Sequence, residues 1–174
     1  MEPFFTIGHG TRRIDELAAL LEANEVRRLV DVRTVPRSRT NPQFNKDVIA
    51  AALAPHGLAY RHIAALGGLR GKSPGVPPEV NAFWENRSFH NYADYATTAA
   101  FREGLEALLE LGRDARCAIM CAETVWWRCH RRIIADYLLA EGQEVFHIVG
   151  SDVPEPAKMT PGAVAKDGAL VYPA

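Results

Sequence analysis

Cys117-Ala118-Ile119-Met120-Cys121-Ala122 is an apolar run with no polar break. A strand with one face in water alternates apolar with polar residues; a strand covered on both faces reads as continuous apolar sequence, as in a parallel sheet. Working outward, Phe4–Ile7, Arg28–Arg33, Leu58–Ile63 and Glu144–Val149 read as further strands. Between them lie helical patterns. Ile14, Leu17, Ala18, Leu20 and Leu21 recur at helical spacing in Ile14–Asn24, and a second helix fills Asn45–Ala54, with Gly57 as its stop. Further helices are predicted over Tyr92–Leu111 and Arg128–Ala140. Strands alternating with helices predict an α/β fold: a three-layer, mostly parallel five-stranded sheet flanked by helices, with right-handed crossovers.

Two stretches break the rhythm. Residues 66–87 are rich in glycine and proline and read as an irregular loop bordering a binding site. Residues 160–174 contain a pattern that turns at Asp167-Gly168, a small C-terminal β-hairpin appended to the sheet. The chain, 1–174, is read as one α/β domain.

Composition narrows the class. At 174 residues and 48% hydrophobic, the chain is long enough to bury a core. A net charge of −1 argues against a whole-surface electrostatic grip on DNA or an anionic membrane. No apolar run approaches the ~20 residues of a membrane span, and Met1-Glu2-Pro3-Phe4 lacks the basic and apolar regions of a signal peptide. The cysteines, at 117, 121 and 129, do not make a disulfide framework, so a cytoplasmic protein with reduced thiols is expected.

The chemistry-capable residues gather at the carboxyl ends of the predicted strands, where open α/β sheets bind ligands. His9 stands between Gly8 and Gly10, either a surface residue or part of a site that needs close backbone approach. Asp31, inside an apolar strand, must be paired; Arg33 is one candidate and an active-site partner another. Arg33, Arg37 and Arg39 are either a solvated loop or a bidentate site for phosphate or carboxylate. The densest cluster runs from Cys121 and Glu123 through Cys129, His130 and Arg131. With a helix starting near Arg128, Cys129 falls in its first turn, where the dipole and the arginines favour the thiolate. Glu123 and His130 are acid–base candidates, and Cys121 a second thiol. Free cysteine is also among the most buried residue types, which fits Cys117 in mid-strand. Leu69-Arg70-Gly71-Lys72-Ser73 lacks the earlier glycine of a phosphate loop. Arg128 is one residue too far from Cys121 for a Cys-x5-Arg loop, and no Cys-x-x-Cys pair supports a metal site.

In order, Thr6-Ile7-Gly8-His9-Gly10-Thr11, Asp31-Val32-Arg33, Pro36-Arg37-Ser38, Leu66-Gly67-Gly68, Met120-Cys121-Ala122-Glu123, Cys129-His130-Arg131 and Thr160-Pro161-Gly162-Ala163 resemble the domain of unknown function 488 family over nearly the whole chain. The resemblance implies a small α/β fold and no settled activity; some relatives carry labels connected with DNA repair or iron–sulfur proteins. It also implies a histidine where this chain has Ala157. The expected function is an enzyme acting on a small anionic or nucleotide-like ligand. Glu123, Cys129, His130 and Cys121 would serve the chemistry, and His9, Asp31, Arg33, Arg37, Arg39 and Arg131 the ligand. The alternative is a non-catalytic nucleotide- or nucleic-acid-binding module, with Trp126 or Trp127 stacking on a base. The sequence names no cofactor.

Overall fold

The computed structural model describes residues 1–174. Its core is a parallel sheet of β1 (Phe4–Gly8), β2 (Arg28–Asp31), β3 (Ala59–His62), β4 (Cys117–Cys121) and β5 (Val145–Ile148). A two-residue strand, β6 (Glu155–Pro156), pairs antiparallel with β5, giving the order β3-β2-β4-β1-β5-β6. The five parallel strands are those expected; β6 is too short to leave a period in the sequence.

The apolar run at 117–121 behaves as its composition demands. Cys117, Ile119 and Cys121 face one core cluster, Ala118 and Met120 the other. Helices α1 (Ile14–Ala23) and α2 (Lys46–Leu53) cover the second face through Leu17, Leu21, Ile49 and Leu53. Helices α3 (Arg87–Tyr95), α4 (Ala99–Asp114) and α5 (Arg131–Ala140) cover the first through Tyr92, Phe101, Leu105, Ile133 and Ile134. The result is three layers, helix–sheet–helix.

Two helices differ from expectation. The pattern over Tyr92–Leu111 is two helices, because Thr98 leaves helical geometry and its hydroxyl caps α4 by accepting from the Phe101 amide. The apolar spacing continues across the break, since both helices bury the same side. The run from Arg128 is likewise divided. A 3-10 turn, Trp126–Arg128, is followed by Cys129 in extended backbone, and α5 begins only at Arg131. Cys129 therefore precedes the helix rather than lying in its first turn.

Strands β7 (Val164–Lys166) and β8 (Ala169–Val171) form the hairpin, with Asp167 and Gly168 both at positive φ, as a tight type I′ turn requires. The hairpin is fastened down. Leu170 and Tyr172 are buried in the larger core, and the Tyr172 hydroxyl donates to Asp136 at 2.8 Å while its amide donates to Asn81 at 2.9 Å. No helix is long and apolar enough to cross a membrane.

Candidate functional site

Strand β4 stops at Cys121, level with Gly8 at the end of β1. The chain beyond β4 is held against β1: the His9 amide donates to the Cys121 carbonyl at 2.9 Å and the Gly10 amide to that of Ala122 at 3.0 Å. Gly8 is required here, because a Cβ would occupy the place of the Glu123 carbonyl. The loop then curls through the 3-10 turn and returns Cys129 to the strand end. The two sulfurs, Cys121 Sγ and Cys129 Sγ, lie 2.6 Å apart.

Arg131 lies beneath the pair and is wholly buried. Its Nε donates to Cys121 Sγ at 3.0 Å and to Cys129 Sγ at 3.4 Å; its Nη1 donates to Thr6 Oγ1 at 3.1 Å, and its Nη2 to the Glu123 carbonyl. The Arg131 amide also donates to Cys129 Sγ at 3.4 Å. None of these partners is a carboxylate. A buried guanidinium without a counter-charge is strongly unfavourable, and the acidic groups touching this one are the two thiols. Burial alone would push the Cys129 thiol up. The hydrogen bond from Cys121 and the charges of His130 and Arg131 outweigh it, and hold Cys129 well below the ordinary cysteine value. Cys121 moves the other way, raised by burial and by the charge that Cys129 carries. The two shifts lead to one assignment: Cys129 is the more acidic of the two thiols, and Cys121 is the one that keeps its proton.

The orientation of His130 follows from geometry. Its Nε2 is 2.8 Å from the Val32 carbonyl, which can only accept, so that nitrogen carries a hydrogen. Nδ1 is left facing Cys129 Sγ at 3.5 Å. It donates to the thiolate when protonated and accepts the thiol proton when not. Gly68 permits this placement, since a Cβ there would strike the imidazole, and Tyr92 packs edge-on against the same ring.

Above the sulfurs opens a cleft of about 420 Å³, within the usual range for small-molecule sites. Cys121, Cys129 and His130 form its floor; Gly68, Leu69, Asn86, Ser88 and Phe89 line it from the irregular loop and the start of α3; Arg37, Glu123 and Arg128 line it with exposed side chains.

A family model described as "Domain of unknown function DUF488" matches residues 13–138. The chain belongs to this family. The match runs from the start of α1 into α5 and takes in both sulfurs, His130 and Arg131. No curated protein and no solved structure matches the chain.

In this DUF488 chain the remaining expected residues divide. Asp31 and Arg33 pair with each other, buried, through Arg33 Nε to Oδ1 at 2.9 Å and Nη2 to Oδ2 at 2.7 Å, with the Tyr60 hydroxyl donating to the same carboxylate. Arg33 reaches the cleft wall with its charge already balanced. His9 is buried, stacked on Phe44 at 4.3 Å, and donates from Nδ1 to the Gly10 carbonyl; burial lowers its pKa and keeps it neutral. Neither His9 nor Asp31 lines the cleft, and Arg39, exposed on the arginine loop, does not line it either. Glu123 caps its own turn, accepting from the Val125 amide at 3.1 Å. Arg131, assigned to the ligand from sequence, lies under the sulfurs instead. Ala157 packs against the larger core just beyond β6.

Sequence reasoning gave no site role to Thr6 or His147, and gave Trp126 to a base rather than to His147. Thr6 Oγ1 accepts from Arg131 and shares a hydrogen bond of 2.7 Å with His147 Nδ1, and His147 stacks flat on Trp126 at 4.2 Å. A threonine and a histidine inside apolar strands were the available signal. What pairs them is the β1–β5 register, which places Thr6 beside His147.

Proposed function

We propose that this chain is a cysteine-dependent enzyme acting on a small anionic or nucleotide-like molecule at the carboxyl edge of the sheet. Cys129 is the nucleophile. His130, held by the Val32 carbonyl, exchanges a proton at Nδ1, and Glu123 on the cleft wall is placed to exchange one with the leaving group. Arg37 and Arg128 hold the substrate's anionic group with exposed guanidinium forks. The observation that carries this reading is the buried Arg131, whose only acidic partners are the two sulfurs, its other side-chain bonds going to the Thr6 hydroxyl and the Glu123 carbonyl. A nucleic-acid-binding module is less well supported. Trp126 is already stacked on His147 and donates to Glu155, which leaves Trp127 as the exposed ring.

Two alkylating reagents of equal size, iodoacetate and neutral iodoacetamide, test both halves of the proposal. Relative to free cysteine, Cys129 should favour iodoacetate, and the double variant Arg37→Ala, Arg128→Ala should lose that preference while still reacting with iodoacetamide. A wild-type preference equal to that of free cysteine would remove the anion site.

A further inference from the structure

The second thiol has a use that nucleophilic attack alone does not require. We propose that Cys121 and Cys129 are a reversible dithiol–disulfide pair, and that the cleft presents Cys129 with a small disulfide carrying carboxylates, which makes the chain a thiol–disulfide oxidoreductase. This rests on the reading of Cys129 as nucleophile.

The sulfurs are in direct contact at 2.6 Å, and no side chain has to leave for them to bond, a disulfide being ~2.05 Å long. Cys121 is fixed at the end of a central strand; Cys129 sits in extended backbone between a 3-10 turn and α5, its sulfur hydrogen-bonded to His130 and Arg131. Arg131 Nε touches both sulfurs, so whichever is charged during exchange keeps the same counter-ion. Cys117 lies apart: it contacts the Ala115 carbonyl and its thiol is pushed up to about 11, chiefly by burial. The cleft decides the oxidant class. A hydroperoxide needs no cavity of about 420 Å³, whereas a disulfide with a carboxylate-bearing arm fills one and meets Arg37 and Arg128.

The exchange takes two steps. Cys129 thiolate attacks one sulfur of the disulfide RSSR; the Cys129–SR bond forms, the S–S bond breaks, and RS⁻ leaves. Cys121 then attacks Cys129 Sγ. The Cys121–Cys129 bond forms, the Cys129–SR bond breaks, and RSH leaves with the Cys121 proton. The substrate gains two electrons, the protein loses two, and a dithiol reductant restores the pair.

The test uses glutathione disulfide as the anionic probe and bis(2-hydroxyethyl) disulfide as the neutral one, with peptide mapping by mass. Wild-type protein should release two glutathiones and yield a Cys121–Cys129 peptide lighter by two hydrogens. Cys121→Ser should stop at one glutathione bound on Cys129, and Cys129→Ser should not react. Arg37→Ala with Arg128→Ala should slow the anionic probe at least tenfold more than the neutral one. A wild-type protein that keeps glutathione on Cys129 without forming the Cys121 link overturns the pair. An equal loss with both probes overturns the carboxylate preference. Wild-type protein that resists both disulfides while iodoacetamide alkylates Cys129 defeats this inference alone; resistance to iodoacetamide as well defeats the nucleophile reading beneath it.

Discussion

Arg131 brings a permanent charge where water does not reach, and its side chain finds two sulfurs, a hydroxyl and a carbonyl. Arg131→Met keeps most of the volume and removes the charge. The midpoint of the pH–rate profile of Cys129 should then move up, and reactivity at neutral pH should fall about tenfold for each unit by which it comes to lie above that pH. Unchanged labelling of a folded variant would show that His130 and Cys121 suffice. His147 gives a second prediction at this scale. Burial, then the charge of Arg131, lowers its pKa from 6.5 to about 4. The unfolded chain therefore binds a proton below 6.5 that the folded one refuses until about 4, so this contribution to stability is present above 6.5 and lost as pH falls to 4. At about 1.4 kcal/mol per unit the loss is on the order of 3 kcal/mol. Urea unfolding across that window should be steeper in pH for wild type than for His147→Asn; parallel curves would refute it. His9, also lowered by burial, adds a background common to both proteins. At this scale the sequence was legible where a residue's type restricts its partners. Asp31 in an apolar strand required a cation and found Arg33, and Cys121, Glu123, Cys129 and His130, read as one cluster, line one cleft. That Arg131 rather than Arg128 reaches both sulfurs depends on the path of the loop from 122 to 130, which no local pattern encodes.

The strand ends and their loops are joined by close backbone approaches, and glycines mark them. Gly67 lies against Thr34, Gly68 against the His130 ring, and Gly8 against Glu123. Gly68→Ala should push the imidazole from its place, at a cost of about 1–3 kcal/mol, and lower the reactivity of Cys129. Gly71→Ala in the same loop, with open space around it, should do neither. Equal effects would make the loop a passive cover. The glycine motif could be read from sequence, but what each glycine approaches could not, because the contacts join elements far apart in the chain. Helix boundaries were hidden for another reason. Tyr92, Phe101, Leu105 and Leu108 keep one apolar face through the break at 96–98, so periodicity reported two helices as one; only the Thr98 cap betrays the junction. The start of α5 was misplaced because Trp126, Trp127 and Arg128 tolerate a helix, and it is the return of Cys129 to Cys121 that holds the chain extended there.

For the molecule as a whole, the order β3-β2-β4-β1-β5-β6 places β4 between β2 and β1, and the loops leaving β2 and β4 line one cleft with Cys121. The apolar composition of β4 announced a central strand, while its neighbours are set by crossovers that composition does not record. The fold thus sets a buried cation, a donor thiol and an oriented histidine on one sulfur, beneath a cleft with arginines at its rim. The claim at the centre is that Cys129 is a thiolate in the folded protein. It is tested most directly by the rate of iodoacetamide alkylation of each cysteine against pH, resolved by peptide mass. Cys129 should react first and reach half its limiting rate well below the ~8.5 of a free cysteine. Cys117 should stay inert until unfolding. If Cys129 becomes reactive only in the ordinary cysteine range, or if all three thiols label together on unfolding, the account is wrong.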